Sequence, residues 1–354
     1  MQFFLLYSIF FVRYMYICNN VIIKINGYKN PKSERTMKET IAKKVLVAGG
    51  AGFIGSHLCD RLLKDGYNVL CMDNFYTGHI ENVQELLKNN QFSLVNQDVT
   101  TPISYNNISL IFNLACPASP VHYQKDFLYT TKTAVLGTLN LLEVAKKNNC
   151  PILQASTSEV YGDPLIHPQT EDYYGNVNPI GIRSCYDEGK RCAESLCMSY
   201  HRQYGVQVKI IRIFNTYGPR MAKNDGRVVS NFITQALCGK NITIYGNGSQ
   251  TRSFLYVDNL IEAMIRVVKT DDNFTGPINL GNPNEIAIRT LASMIMSLTK
   301  SHSKITHKPL PQNDPKQRCP DISLATQLLD GWIPDVKIED GLSKTIEYFK
   351  KVCL

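Results

Sequence analysis

The chain has 354 residues, 44% hydrophobic and 19% charged, which supplies apolar material for one large or two modest cores and excludes a disordered or fibrous protein. Its formal net charge is +8, but Lys and Arg are scattered with no long basic run, so anionic small molecules are the expected partners and no nucleic-acid tract stands out. The 11 Cys fall at irregular spacing, with no CxxC pair and no matching His spacing; they indicate neither a disulfide framework nor a zinc site, and point to reduced thiols in the cytoplasm.

The first stretch, "MQFFLLYSIFFVRYMYICNNVIIKI", is strongly apolar and aromatic but is interrupted by Arg13, Asn19 and Asn20. Its first apolar run is short for a bilayer span, and it lacks the basic flank and small-residue cleavage site of a signal peptide. Residues 1 to 36 read as an appendage, with a Golgi or ER membrane anchor as the alternative. Met37 sits where a self-contained domain begins.

From Lys44 onward, apolar strand-like runs alternate with amphipathic helical stretches. Strands are expected over 44 to 49, 67 to 73, 92 to 95, 109 to 115, 151 to 156 and 208 to 214, with helices over 54 to 64, 130 to 147 and 186 to 204. Near-continuous Val, Ile and Leu runs between helices imply an α/β fold: a Rossmann-type, doubly wound parallel sheet with helices on both faces. After residue 215 the pattern becomes irregular, with short strands near 243 to 245 and 278 to 280 and helices near 257 to 268 and 288 to 299. The expected organisation is therefore a dinucleotide-binding domain over 37 to 215 and a smaller C-terminal substrate-binding lobe over 216 to 354, with some of its segments returning to the sheet domain.

The first strand runs directly into a glycine turn and a helix, "KVLVAGGAGFIGSHLCDRLL". Gly49, Gly52 and Gly55, or Gly50, Gly52 and Gly55, let the backbone approach a pyrophosphate whose charge sits on the helix N-terminus opened by Phe53 and Ile54. The next strand ends at Asp73, 18 residues beyond Gly55, where a carboxylate accepts the adenosine ribose hydroxyls. No Arg follows at once to hold a 2′-phosphate, so NAD is favoured over NADP. Asp98, at the end of the third strand, is a candidate for the adenine amino group, with a turn role as the competing reading.

In such a sheet the residues just past each strand face the nicotinamide. "QASTSEVYG" offers Thr157, Ser158 and Glu159 there, and the next helix carries Tyr186 and Lys190 four residues apart, on one face. Another match to that spacing, Tyr28 and Lys32, contains Pro31 and has polar flanks, so it forms no interior helical turn. Oxidation of an alcohol needs a base for the hydroxyl proton, and a tyrosine serves once its pKa is lowered; Lys190 and the positive nicotinamide are expected to lower that of Tyr186. Thr157 is placed to hold the substrate hydroxyl.

The series "GGAGFIGSHLCDRLL", "MDNFYTG", "ASTSEVYGDP", "NPIGIRSCYDEGKR", "RIFNTYGPRM", "NDGRVVSNF", "YGNGSQTRSFLYV", "INLGNP" and "RCPDI" resembles, in order from about 44 to 350, the extended short-chain dehydrogenases/reductases, and within them the UDP-glucuronate decarboxylases. The resemblance implies that NAD oxidises C4 of the glucuronosyl ring of UDP-glucuronate, that the β-keto acid loses CO2, and that the same NADH reduces the 4-keto pentose to UDP-xylose. It assigns Glu159 and Arg318 to the substrate carboxylate and to protonation at C5, and Lys132, Asn215, Arg227, Tyr245 and Arg252 with Arg318 to the nucleotide sugar. The cofactor contacts so expected are Gly49, Gly52, Phe53, Ile54, Gly55, Asp73, Asn74, Thr77, Asp98, Val99, Leu114, Cys116, Thr133, Tyr186 and Lys190. Cys116 stands where relatives often have Ser, and Cys319 where the family usually has a basic residue. The resemblance further implies a homodimer paired through the helices at 130 to 147 and 186 to 204.

Related enzymes supply the rival readings. A 4,6-dehydratase calls for an Asp-Glu pair after Thr157, and Ser158 occupies the Asp place; 4-epimerases generally lack a glutamate at Glu159. A synthase that also makes UDP-apiose is nearer, and a non-catalytic NAD-binding protein has no need for Tyr186, Lys190, Thr157 and Glu159 together.

Overall fold

The computed structural model describes residues 43–310 and 317–353, so the expectations for residues 1 to 36 and for the start at Met37 lie outside the described residues. Seven parallel strands form the central sheet: β1 (Lys44–Ala48), β2 (Asn68–Asp73), β3 (Phe92–Asn96), β4 (Ile108–Asn113), β5 (Ile152–Thr157), β6 (Val208–Ile213) and β7 (Ile278–Leu280). Their order is β7-β6-β5-β4-β1-β2-β3, with Val45 opposite Val69 on one side of β1 and Leu110 on the other. The chain leaves β1 toward β2 on one side and crosses back to β4 on the other, which opens a crevice beyond the strand ends at the β1/β4 switch point.

Alternation along each strand sorts side chains onto two faces. Val45 and Val47 join Val69, Cys71, Phe112, Leu153 and Ile211 in the larger core; Leu46 and Ala48 join Leu70, Met72, Ile111, Ile152 and Ile210 in the other. Helices α1 (Phe53–Lys64), through Leu58 and Leu62, and α5 (Val257–Val267), through Leu260 and Met264, cover the first face. Helices α2 (Phe127–Asn148), through Leu141, Leu142 and Ala145, and α3 (Ser184–Tyr204), through Cys197, cover the second. Each such fully buried Leu contributes about 1.5–3 kcal/mol by leaving water.

Helix α2 begins where Asp126 accepts the amide of Tyr129 at 2.8 Å, and α3 ends at Gly205, whose φ of +70° the absence of a Cβ makes inexpensive. The remaining segments include α4 (Val228–Leu237), α6 (Ile288–Thr299) and α7 (Ile338–Cys353). Three small strand pairs, Thr216–Tyr217 with Leu255–Tyr256, Thr251–Ser253 with Glu285–Ala287 and Ile242–Tyr245 with Ile305–Lys308, lie among them. Everything from Ala42 onward is one compact unit, and β7 pairs with β6 at the edge of the main sheet. No described helix is long and apolar enough to cross a membrane.

Candidate active site

A cleft of about 610 Å³ runs along the C-terminal ends of the strands, from the glycine turn after β1 to Arg318. Its first half is built from local backbone geometry. Gly49 takes φ +78°, and a Cβ there would lie 2.9 Å from the Ala115 amide nitrogen; a Cβ on Gly55 would lie 2.1 Å from the Gly49 carbonyl oxygen. The turn therefore closes only with glycine, and Gly52, Phe53 and Ile54 line the cleft with it. No side chain caps α1 at Gly52, and its first turn holds no acidic residue, so its amides present partial positive charge to the cleft. Asp73 accepts the Ala51 amide through Oδ2 and the Phe75 amide through Oδ1, each at 2.9 Å. Burial raises its pKa, and those backbone donors oppose the rise. An uncapped helix N-terminus for a pyrophosphate and a buried carboxylate beyond it fit a dinucleotide.

Asn74, Thr77, Val99, Leu114, Cys116 and Thr133 also line the cleft. Asp98 does not. Its Oδ2 accepts from Asn74 and from the Tyr129 hydroxyl at 2.8 Å, and its Oδ1 accepts from the Thr100 amide and hydroxyl, also at 2.8 Å. The carboxylate organises a turn, and its neighbours Gln97 and Val99 border the cleft. Lys132 is exposed on α2 and does not line the cleft, whereas its neighbour Thr133 does, one helical step of about 100° away.

At the chemical centre β5 ends on Thr157, whose hydroxyl oxygen accepts the Glu159 amide at 3.2 Å and starts the short 3-10 turn Ser158–Tyr161. Tyr186 and Lys190 share the buried face of α3, both 5% exposed or less. The Tyr186 ring stacks on Tyr123, centroids 5.2 Å apart and planes 6° off parallel. Lys190 donates to the Ala155 carbonyl at 2.8 Å, with its ammonium 5.8 Å from the centre of the Tyr186 ring. Burial pushes the Tyr186 phenol well above its ordinary range, Cys116 and Glu159 push the same way, and a hydrogen bond with Thr157 opposes them. Without the positive nicotinamide, desolvation dominates and the protein alone favours the neutral phenol.

Glu159 and Arg318 form a bidentate pair: Nη1 to Oε1 at 2.5 Å and Nη2 to Oε2 at 2.8 Å. Arg183, which caps α3, also donates to Glu159 Oε2 and lies 3.8 Å from Asp187. Burial alone would raise the Glu159 carboxyl, but Arg318 and Arg183 outweigh it and hold Glu159 below the usual carboxylate range. Asp187 is pushed up to about 7, first by burial and then by the Glu159 charge. Arg183 and Tyr123 were not anticipated from sequence. Arg183 stands three residues before Tyr186, within "NPIGIRSCYDEGKR", and Tyr123 ends "ACPASPVHY", but neither spacing marks a site.

The far half of the cleft carries Asn215, Arg227, Tyr245 and Arg252 with Arg318. Arg227 precedes α4, donates to the Ala118 carbonyl at 3.2 Å and lies 3.5 Å from Asp225. Arg252 donates to the Thr251 carbonyl at 2.8 Å.

Residues 45–281 match the model of the NAD dependent epimerase/dehydratase family. A UDP-glucuronic acid decarboxylase of Danio rerio is 51% identical over 89% of this chain and 74% of its own length. UDP-glucuronic acid decarboxylase 6 of Arabidopsis thaliana is 51% identical over 87% of this chain and 89% of its own. Among solved structures, UDP-glucuronic acid 4-epimerase of Bacillus cereus, in complex with UDP-glucuronic acid and NAD, superposes with a TM-score of 0.79 at 31% identity, covering 87% of this chain and 99% of that one. A UDP-glucose 4-epimerase of Thermotoga maritima, solved with UDP-glucose, gives 0.80 at 29% identity over 87% and 99%. With its glycine turn, its sheet order and two thirds of its length in agreement, the chain belongs to the NAD dependent epimerase/dehydratase family.

Proposed function

We propose that this chain is an NAD-dependent UDP-glucuronate decarboxylase, a carboxy-lyase that converts UDP-glucuronate to UDP-xylose. The observation that carries the reading is Glu159, held ionised by two guanidinium groups in the same cleft as Tyr186 and Thr157. When bound, NAD supplies reversible hydride acceptance at C4 of the sugar.

The side chains then have separate tasks. With the positive charge of Lys190 and of bound NAD beside it, Tyr186 would stand as the phenolate, and its Oη takes the proton of the C4 hydroxyl, which Thr157 orients, leaving the neutral phenol for the next step. Loss of CO2 from a β-keto acid passes an electron pair into an enolate, and the neutral Tyr186 phenol with the Thr157 hydroxyl donates hydrogen bonds to its oxygen. Burial of Tyr186 favours that neutral donor form. Arg318 and Arg183 face one ionised carboxylate, Glu159, so below about pH 7, where Asp187 keeps its proton, the cluster retains positive charge for the substrate carboxylate. Glu159 moves the proton at C5 once CO2 has left. Arg227, Arg252, Tyr245 and Asn215 serve the diphosphate and uridine. The proposal includes a cytoplasmic homodimer paired through α2 and α3, where Leu136 and Tyr204 are exposed at 40% and 48%.

The test is incubation of the purified chain with UDP-glucuronate and NAD, following CO2 and identifying the nucleotide sugar by mass and NMR. UDP-xylose without net NADH is expected. Untouched UDP-glucuronate in the presence of bound NAD removes the decarboxylase reading and favours an epimerase acting on another sugar.

A further inference from the structure

Behind Arg318, outside the residues that line the cleft, three potential metal ligands from distant parts of the sequence come together. His167, Glu285 and Cys319 each offer one atom, and these atoms lie within 4.8 Å of one another. His167 Nε2 is 3.0 Å from Glu285 Oε2. Backbone, rather than chance side-chain placement, holds the three segments in register. Gln169 donates its amide to the Cys319 carbonyl at 2.8 Å and receives the Cys319 amide on its side-chain oxygen at 2.9 Å. Gln169 also bridges Pro320, which fixes the loop of His167 against the segment of Cys319. Glu285 opens a strand that pairs with Thr251–Ser253, and its other oxygen accepts the Thr251 hydroxyl at 2.6 Å. The second carboxylate oxygen is thereby anchored while the first is turned toward His167.

We propose that His167 Nε2, Glu285 Oε2 and Cys319 Sγ form a binding site for a thiophilic divalent cation of the zinc class. Imidazole, carboxylate and thiolate are the donor types such an ion takes, with bonds of about 2.0–2.3 Å that set donor atoms about 3.5 Å apart in a tetrahedron. His167 and Glu285 are exposed, so their side chains close the remaining distance without disturbing the core, while buried Cys319 stays fixed. One thiolate and one carboxylate neutralise a divalent charge, and water completes the fourth position. On binding, the proton between His167 Nε2 and Glu285 Oε2 leaves as the imidazole takes its Nδ1–H tautomer, and the Cys319 S–H, which now points to the Pro283 carbonyl at 3.3 Å, releases its proton to solvent as the S–metal bond forms; no electrons are transferred. Burial first, and then the charges of Glu285 and Asp321, disfavour the bare thiolate, and those two charges attract a cation. The inference goes beyond the decarboxylase reading and stands independently of it, since binding is read without turnover.

Cobalt(II) is the probe, because sulfur ligation to it produces a charge-transfer absorption. Titration of the reduced, metal-free full chain with CoCl2 is expected to develop that band to saturation at a single equivalent, and ZnCl2 is expected to displace it. Cys319→Ser removes the band, and the exposed-ligand variants His167→Asn and Glu285→Gln weaken cobalt binding by at least about tenfold, the lower range for disturbing a metal site. The assignment is overturned by a band that persists in Cys319→Ser, by its failure to appear in the unsubstituted chain, or by His167→Asn and Glu285→Gln variants that bind as tightly as that chain. The two exposed-ligand variants keep the test decisive should Cys319→Ser fail to fold.

Discussion

Asp187 is the buried acid whose removal tests the electrostatics of the catalytic cluster most directly. It is 6% exposed, its Oδ1 has no hydrogen-bond partner, and its Oδ2 lies 3.8 Å from Arg183 Nε. Burial and the Glu159 charge raise its pKa from an ordinary 3.8 to about 7, against the opposing pull of Arg183 and Arg318. That displacement corresponds to about 4 kcal/mol, an upper figure because Glu159 and the two arginines readjust as Asp187 ionises. The sign follows from proton counting. Between about pH 4 and pH 7 the folded chain keeps a proton that the unfolded chain has released, so the stability contributed by the protonated acid falls as pH rises through this window. Asp187→Asn mimics the protonated carboxyl at every pH. Urea unfolding of the chain and the variant at about pH 5 and about pH 8 should show the variant's stability relative to the original increasing by about 1–3 kcal/mol from the lower pH to the higher. Stabilities that change in parallel for both proteins refute the raised pKa. The same titration alters the cluster's charge, so the KM for UDP-glucuronate should rise across this range in the original chain and stay flat in the variant.

Tyr186→Phe keeps the stack on Tyr123 and removes only the hydroxyl, so kcat should fall by about 10²–10⁴-fold while NAD titrates as before; unchanged turnover would exclude Tyr186 from proton transfer. Gly55→Ala drives a methyl to 2.1 Å from the Gly49 carbonyl, and the displaced turn should cost about 1–3 kcal/mol in a thermal melt and abolish NAD binding measured by fluorescence. Lys132→Ala, on the exposed side of α2, should leave KM for UDP-glucuronate within about twofold, the range of an ordinary surface substitution; a larger rise restores Lys132 to the substrate site.

What was legible in the sequence follows the range of the interactions involved. The β1 turn needs only its own glycines and the start of α1, so Gly49, Gly52 and Gly55 could be read in place, and Asp73 follows from the length of α1 and β2. Strand and helix periodicities over 44 to 214 foretold the doubly wound sheet because each run buries its own apolar face. Helix α7 carries the same signal, since Leu342, Thr345, Ile346 and Phe349 recur at helical spacing and are buried. Asp98 and Lys132, which do not line the cleft, show a different limit. Periodicity tells which residues share a face but not which face meets the cleft, and for Asp98 the decisive partners, Tyr129 and Asn74, come from other segments.

Long-range pairing sets the deeper limit. Resemblance named Glu159 and Arg318 separately, but their bidentate contact spans 159 positions, and only the packing of the 3-10 turn after β5 against the chain before Pro320 brings them together. Arg183 then joins them from the start of α3, and this third charge changes the meaning of the other two. A lone Glu–Arg pair is neutral and has little hold on a substrate carboxylate. Two guanidinium groups around one ionised carboxylate retain a positive charge below about pH 7, where burial lets Asp187 keep its proton, and the desolvation that raises Asp187 also raises Tyr186 toward its neutral donor form. One apolar enclosure thus sets the protonation of both groups, so binding of an acidic sugar and hydrogen-bond donation to its enolate depend on the same exclusion of water.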